Sequence, residues 1–164
     1  MRESARFAAL SLSALLALPA LAADLRPLKE PAKIASVFPK SAKLRVVNVW
    51  ATWCGPCVAE MPDLREIDQT FGAEVTIAGV SLDDMIPSAK PAMVAAFLDK
   101  QKIAFPNIYY TGNADALGDY LNFSGEMPVT IVFDARGKEL WRHQGRIDRE
   151  QTIAQLRELL RRIR

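Results

Sequence analysis

The chain has 164 residues, half of them apolar and 24% charged, which fits one globular domain and excludes a disordered chain. Lys and Arg number 21 against 19 Asp and Glu, so the net charge of +2 lacks the basic excess of a nucleic-acid binder. Two cysteines are too few for a multi-bridge scaffold, and with the single histidine they supply only three of the soft ligands a structural zinc site takes.

Residues 1–22 read as a cleaved signal peptide. Arg2, Glu3 and Arg6 precede an uncharged Leu/Ala-rich run from Phe7, then Pro19 and the small-x-small Ala20-Leu21-Ala22 that a signal peptidase cuts. The rival reading is an N-terminal membrane anchor. The uncharged run from Phe7 to Ala23, broken by Ser and Pro, is at the short limit for a span of about 20 residues. No cysteine follows the cleavage point to carry a lipid. The leader takes two Arg and one Glu with it, leaving 19 basic and 18 acidic residues and a net charge of +1. A periplasmic protein is expected.

Residues 23–43 hold three prolines among short apolar pieces and suggest an irregular lead-in to a domain over residues 44–164. Leu44–Trp50 (LRVVNVW) is nearly continuous in apolar character, as expected of a strand buried on both faces. A helix follows from about Cys54 to Phe71, with a kink or break at Pro62. Val75–Ser81 is a second strand. Ala92–Lys100 is helical, with Met93, Ala96 and Phe97 on one face. Asn107–Tyr110 is a short strand and Ala114–Leu121 a short helix. Val129–Phe133 and Glu139–His143 flank the turn Asp134-Ala135-Arg136-Gly137 and form a hairpin. The last helix is capped by Asp148 with Gln151 three residues on, and carries the stripe Ile153, Leu156, Leu159, Leu160 and Ile163. Its Arg157, Arg161, Arg162 and Arg164 form a solvated face. Strands alternating with helices, then a hairpin and a helix, give an α/β sheet with a mixed edge.

Chemistry concentrates in Trp53-Cys54-Gly55-Pro56-Cys57, directly after a buried strand and at the start of a helix. The free N–H groups and positive dipole end of a first helical turn stabilise a thiolate, so Cys54 is the expected nucleophile. Cys57 lies one turn on, close enough to close a disulfide with it. Pro56 is tolerated in a first turn and stiffens the loop. A purely structural bridge would close so small a loop that chain entropy credits it with only about 2 kcal/mol. A metal site would have to enlist His143, expected to be exposed, together with carboxylates or a second subunit. Redox exchange is the favoured reading. Trp53 is expected on the exposed rim and Trp50 packed beneath.

The run Val47-Asn48-Val49-Trp50-Ala51-Thr52-Trp53-Cys54-Gly55-Pro56-Cys57, with Ala59-Glu60-Met61-Pro62, resembles the exported thioredoxin-like reductases of the TlpA/ResA/DsbE type, over about residues 43 to 164. The resemblance implies a thioredoxin fold, a central mixed sheet flanked by helices, with a helical insertion between Ser81 and Glu126. It implies a cis-proline at Met127-Pro128 opposite the cysteines, and substrate contacts at Trp53, Gly55, Pro56, Met127 and Pro128. Cytoplasmic thioredoxins carry a buried, titrating Asp where Asn48 stands. Glu60, one turn past Cys57, matches an acidic residue implicated in related exported reductases and becomes the candidate for moving protons.

The expected activity is a thiol–disulfide oxidoreductase, acting as a reductant: Cys54 attacks a substrate disulfide and Cys57 resolves the mixed disulfide. The family's fold carries its redox equivalents on the Cys54–Cys57 pair without a further cofactor. It draws electrons from a membrane thiol transporter, and its substrates include apocytochrome c and copper-site cysteines. A monomer is expected. Rival readings are a copper-holding metallochaperone using Cys54 and Cys57, or an oxidase or isomerase working in the opposite direction. A thiol peroxidase ranks last, since Val47 and Ala51 occupy places where that pattern needs Pro and Thr.

Overall fold

The computed structural model describes residues 22–163. The expected signal peptide, apart from Ala22, lies outside the described residues. The elements in chain order are β1 (Leu25–Leu28), β2 (Leu44–Trp50), α1 (Gly55–Phe71), β3 (Val75–Ser81), α2 (Pro91–Gln101), β4 (Asn107–Tyr110), α3 (Ala114–Leu121), β5 (Val129–Asp134), β6 (Glu139–Gln144) and α4 (Arg149–Arg162). The strands form one mixed sheet in the order β1-β4-β3-β2-β5-β6. The pairs β1·β4, β4·β3 and β3·β2 are parallel, while β5 runs antiparallel to β2 and β6 antiparallel to β5.

The sheet is covered on both faces. On one, α1, α2 and α4 bury Met61, Leu64, Ile67, Val94, Leu98, Leu156 and Leu159 against Leu44, Val46, Ile77 and Val132. On the other, α3 and a 3-10 helix (Pro31–Val37) bury Leu117, Leu121, Ile34 and Phe38 against Val47, Val49, Val80 and Ile131. Strand alternation sorts β2 accordingly. Leu44 and Val46 point at α1, as do Asn48 and Trp50 by the same parity, while Val47 and Val49 point away.

Three expectations are corrected. The lead-in is more ordered than its composition suggested, for Leu25–Leu28 adds a parallel edge strand beside β4. Pro27 hid this strand, yet proline is tolerated on an edge where its missing N–H faces away from the ladder. The helix at Pro62 is unbroken. Cys57, Glu60, Met61, Leu64 and Ile67 follow helical spacing and are buried together, and that packing holds α1 continuous through one absent N–H. In α2 the buried pair is Val94 and Leu98, and Met93 is exposed. The stretch Ala92–Leu98 is so uniformly apolar that its period fits more than one face.

Other expectations hold. Asp148 accepts from the N–H of Gln151 at 2.9 Å and caps α4. The hairpin turn is held by Asp134, whose carboxylate accepts from the N–H groups of Arg136 and Lys138, with Gly137 at φ 85°. Between Ser81 and Glu126 lie α2, β4, α3 and a 3-10 turn, the expected insertion and strand–helix unit.

One glycine of β3 is a packing requirement. Trp50 is wholly buried against Phe97, ring centroids 5.5 Å apart, and its indole N–H donates to the side chain of Asn107 at 3.2 Å. Asn107 in turn donates to the carbonyl of Phe105. A Cβ on Gly79 would fall 2.0 Å from Asn107 Oδ1 and 2.8 Å from Trp50 Nε1. Neither group can yield without breaking a buried hydrogen bond. Gly79→Ala is therefore expected to cost about 2 kcal/mol or more in denaturant-unfolding free energy, with loss of Trp50 near-ultraviolet dichroism.

Candidate functional site

β2 ends at Trp50, and the chain turns at once into α1. Cys54 N–H donates to the carbonyl of Ala51 at 3.2 Å, closing the turn, and Cys54 becomes the N-cap of α1. Its sulfur accepts from the N–H of Cys57 at 3.3 Å, one of the orphan donors of a helix start. Cys54 and Cys57 are joined in a disulfide with Cα atoms 5.2 Å apart. Gly55 and Pro56, the first two helical residues, are exposed. The two residues are unequally exposed: Cys54 keeps 8% exposure and Cys57 none. Trp53 is 45% exposed, on the rim as expected, with Trp50 beneath.

Asp83, which the spacing of the sequence did not single out, holds this turn from below. It sits wholly buried just after β3 and accepts the backbone N–H of Thr52 with both carboxylate oxygens, at 3.1 and 3.2 Å. It also accepts the hydroxyls of Thr52 and of Ser81, the latter at 2.6 Å. A buried carboxylate so supplied with donors has its oxygens satisfied. The only sequence trace of it is a Ser-x-Asp step at the end of a buried strand.

A second polar group lies on the α1 side of the sheet. Glu60 is wholly buried on α1, three residues past Cys57. One carboxylate oxygen accepts from Asn48 Nδ2 at 2.8 Å, and the other from the backbone N–H of Ile147, just before α4, at 3.0 Å. Asn48 also donates to Thr130, its direct neighbour on β5, while Asn48 Oδ1 has no partner. Burial raises the Glu60 pKa above its ordinary 4.5. The two hydrogen bonds and the nearby His143 and Arg146 pull it the other way without overcoming that shift. Asn48 and Glu60, an expected departure and its expected substitute, are thus brought into direct contact.

Met127-Pro128 is a cis peptide, as the resemblance implies. Met127 and Trp53 line one wall system, a groove of about 830 Å³ that continues over Leu82, Met85, Leu117 and Phe123. His143, on β6, stacks on Trp141 and bonds the carbonyl of Arg146. No group of three or more His, Cys, Asp or Glu that could hold a metal ion occurs among the described residues.

The family model for Redoxin matches residues 30–160. The chain belongs to the Redoxin family. Among individual Redoxin relatives, the thiol-disulfide oxidoreductase ResA of Oceanobacillus iheyensis is 32% identical over 94 residues, 57% of this chain and 45% of that protein. The thiol:disulfide interchange protein DsbE homolog of Paracoccus denitrificans is 33% identical over 109 residues, 65% of this chain and 54% of that protein. The match thus spans about half the length of these relatives. Among solved structures, a secreted Mycobacterium tuberculosis disulfide oxidoreductase homologous to DsbE superposes with a TM-score of 0.57 at 21% identity, over 76% of this chain and 85% of that one. The likeness to ResA and DsbE read from the motif stands, and the sheet order and helix placement are those of the thioredoxin fold.

Two measurements probe the geometry. Asp83→Ala strands the Thr52 N–H and two hydroxyls, and is expected to lower unfolding free energy by about 2 kcal/mol or more, with Asp83→Asn recovering part of it. Glu60 has a raised folded-state pKa, so its protonated form is favoured by folding and its ionisation is opposed. The stability it contributes is complete below the ordinary carboxylate range and is lost as pH rises through the shifted value. Relative to Glu60→Gln, wild-type stability should therefore fall as pH rises above about 4.5, and a pH-independent difference between the two would contradict the assignment.

Proposed function

We propose that this Redoxin-family protein is an exported thiol–disulfide oxidoreductase that works as a reductant in the bacterial periplasm. The disulfide at the cap of α1, with its two cysteines unequally buried within one helical turn, carries the reading. A protein disulfide can reach Cys54, at the cap of α1 beside exposed Trp53, and cannot reach Cys57.

In the reduced protein, the N–H of Cys57 and the positive end of the helix dipole favour Cys54 as thiolate. Its Sγ attacks one sulfur of a substrate disulfide. A bond forms between them, the substrate S–S bond breaks, and the second substrate sulfur leaves as thiolate. Cys57, deprotonated, then attacks Cys54 Sγ, expels the first substrate sulfur and closes the Cys54–Cys57 disulfide. Two electrons pass to the substrate. Glu60, buried and shifted upward, is the proposed acceptor for the Cys57 proton. Its place one turn past Cys57 on the buried face of α1 supports that role. Trp53, Gly55, Pro56, Met127 and Pro128 are the proposed substrate contacts.

The redox equivalents reside on the cysteine pair, so no dissociable cofactor enters the scheme. Export is supported by the signal-like first 22 residues and by the secreted relative. No helix of the described residues is long and apolar enough to cross a membrane. In an oxidising compartment the disulfide must be re-reduced from outside the chain, and a membrane thiol transporter is the proposed donor. The proposed substrates are exported proteins with oxidised cysteine pairs, such as apocytochrome c or copper-site proteins, met by a monomer.

Cys57→Ala tests the scheme. In the exported protein it should accumulate a reductant-sensitive mixed disulfide on Cys54, with the bound protein identified by mass spectrometry. Absence of any adduct while Cys54 still reacts with alkylating agents would overturn the reading. A reduction potential near the roughly −270 mV of thioredoxin supports a reductant, and one near the roughly −120 mV of DsbA opposes it.

A further inference from the structure

The groove beside the cysteine pair is apolar along its floor and charged on one rim. Trp53, Leu82, Met85, Leu117, Phe123 and Met127 supply the apolar surface, with Trp53 adjoining the nucleophile and Met85 59% exposed. The lining residues include two charged side chains, Asp115 and Asp119, and no Lys or Arg. They lie one turn apart on α3 and are exposed. Glu126, the exposed neighbour in sequence of Met127, carries the same sign of charge, whereas Asp84, beside Met85, interacts with Tyr109 and does not line the groove.

These carboxylates differ from most others on the surface. Asp24, Glu30, Asp63, Glu66, Glu74, Glu139, Glu150 and Glu158 stand in ion pairs with Lys or Arg. Among the described residues, Asp115, Asp119 and Glu126 stand in none. Arg142 reaches the end of α3, donating to the carbonyls of Leu121 and Asn122, but it is already paired with Glu139 through two hydrogen bonds. A chain with net charge +2 has thus left a local negative field over the apolar trough that leads to Cys54.

We infer that the groove receives an extended substrate segment that carries apolar and basic residues beside its disulfide cysteine. Apolar side chains would cover Met85, Leu117 and Phe123, and Lys or Arg would meet Asp115 and Asp119. An extended chain advances about 3.3 Å per residue, so the basic residue belongs within a few positions of the cysteine. This rests on the reductase reading and adds a substrate class to it. The charge would act on encounter and register, and the apolar floor on residence.

The test uses two synthetic peptides, each with one cysteine as a mixed disulfide with thionitrobenzoate and a leucine beside it. One has Lys at the second and fourth positions after the cysteine, the other Glu. The fully reduced protein is mixed with each, and release of the chromophore gives the second-order rate constant. At low ionic strength the Lys peptide should react about five- to tenfold faster, the ratio falling towards one in about 0.5 M salt. In the double variant D115N/D119N the ratio should collapse at low salt as well. Equal rates for the two peptides in wild-type protein overturn the substrate class while leaving the reductase reading intact. A preference insensitive to both salt and the double variant overturns it too. Reaction with neither peptide overturns both readings together.

Discussion

The site descends from the position of β2. With β3 it forms the centre of the sheet, parallel to β3 on one side and antiparallel to β5 on the other, with every residue but Arg45 buried. Such a strand cannot slip by one residue without moving an entire face of core into the wrong layer. Its end therefore delivers Ala51–Cys54 to a fixed place, and its parity aims Asn48 and Trp50 at α1. The disulfide, the buried carboxylate of Glu60 and the seat of Trp50 on Gly79 all inherit their coordinates from that register.

Two carboxylates near the disulfide illustrate how surroundings divide one chemistry into two. Asp83 accepts hydrogen bonds from Thr52 and Ser81 that hold the turn before α1. Glu60 receives only two donors in a buried setting, and burial leaves its acid form favoured. One anchors a turn, and the other is a buried acid with a raised pKa. The difference lies in donor supply, since both side chains are equally hidden from water.

Much of this was legible in the sequence. The apolar run of Leu44–Trp50, the Cys54–Cys57 spacing and the Asp148 cap each express a local rule, and local rules survive folding. The pairing of Asn48 with Glu60 was half legible, because helical spacing gives proximity to Cys57 while only tertiary packing gives the orientation. Asp83 was not legible, since its partner Thr52 is brought to it from 31 residues away by the β2·β3 register. The strand at Leu25–Leu28 was masked by Pro27, and the face of α2 by an apolar stretch with no contrast to read.

The hydrogen bond from Ile147 to Glu60 links the redox helix to a stretch of chain 87 residues further on. A chain ending at Gln144 would contain both cysteines, the capped turn, the cis-proline and all six strands, yet it would lack that donor and the α4 cover above α1. Its Glu60 would keep the bond from Asn48 and lose the one from Ile147. The surroundings of the buried carboxylate are thus completed only when the final helix docks, and a truncated copy carries the cysteine motif without them. The last helix in the chain therefore finishes the environment of a group that lies at the second turn of the first.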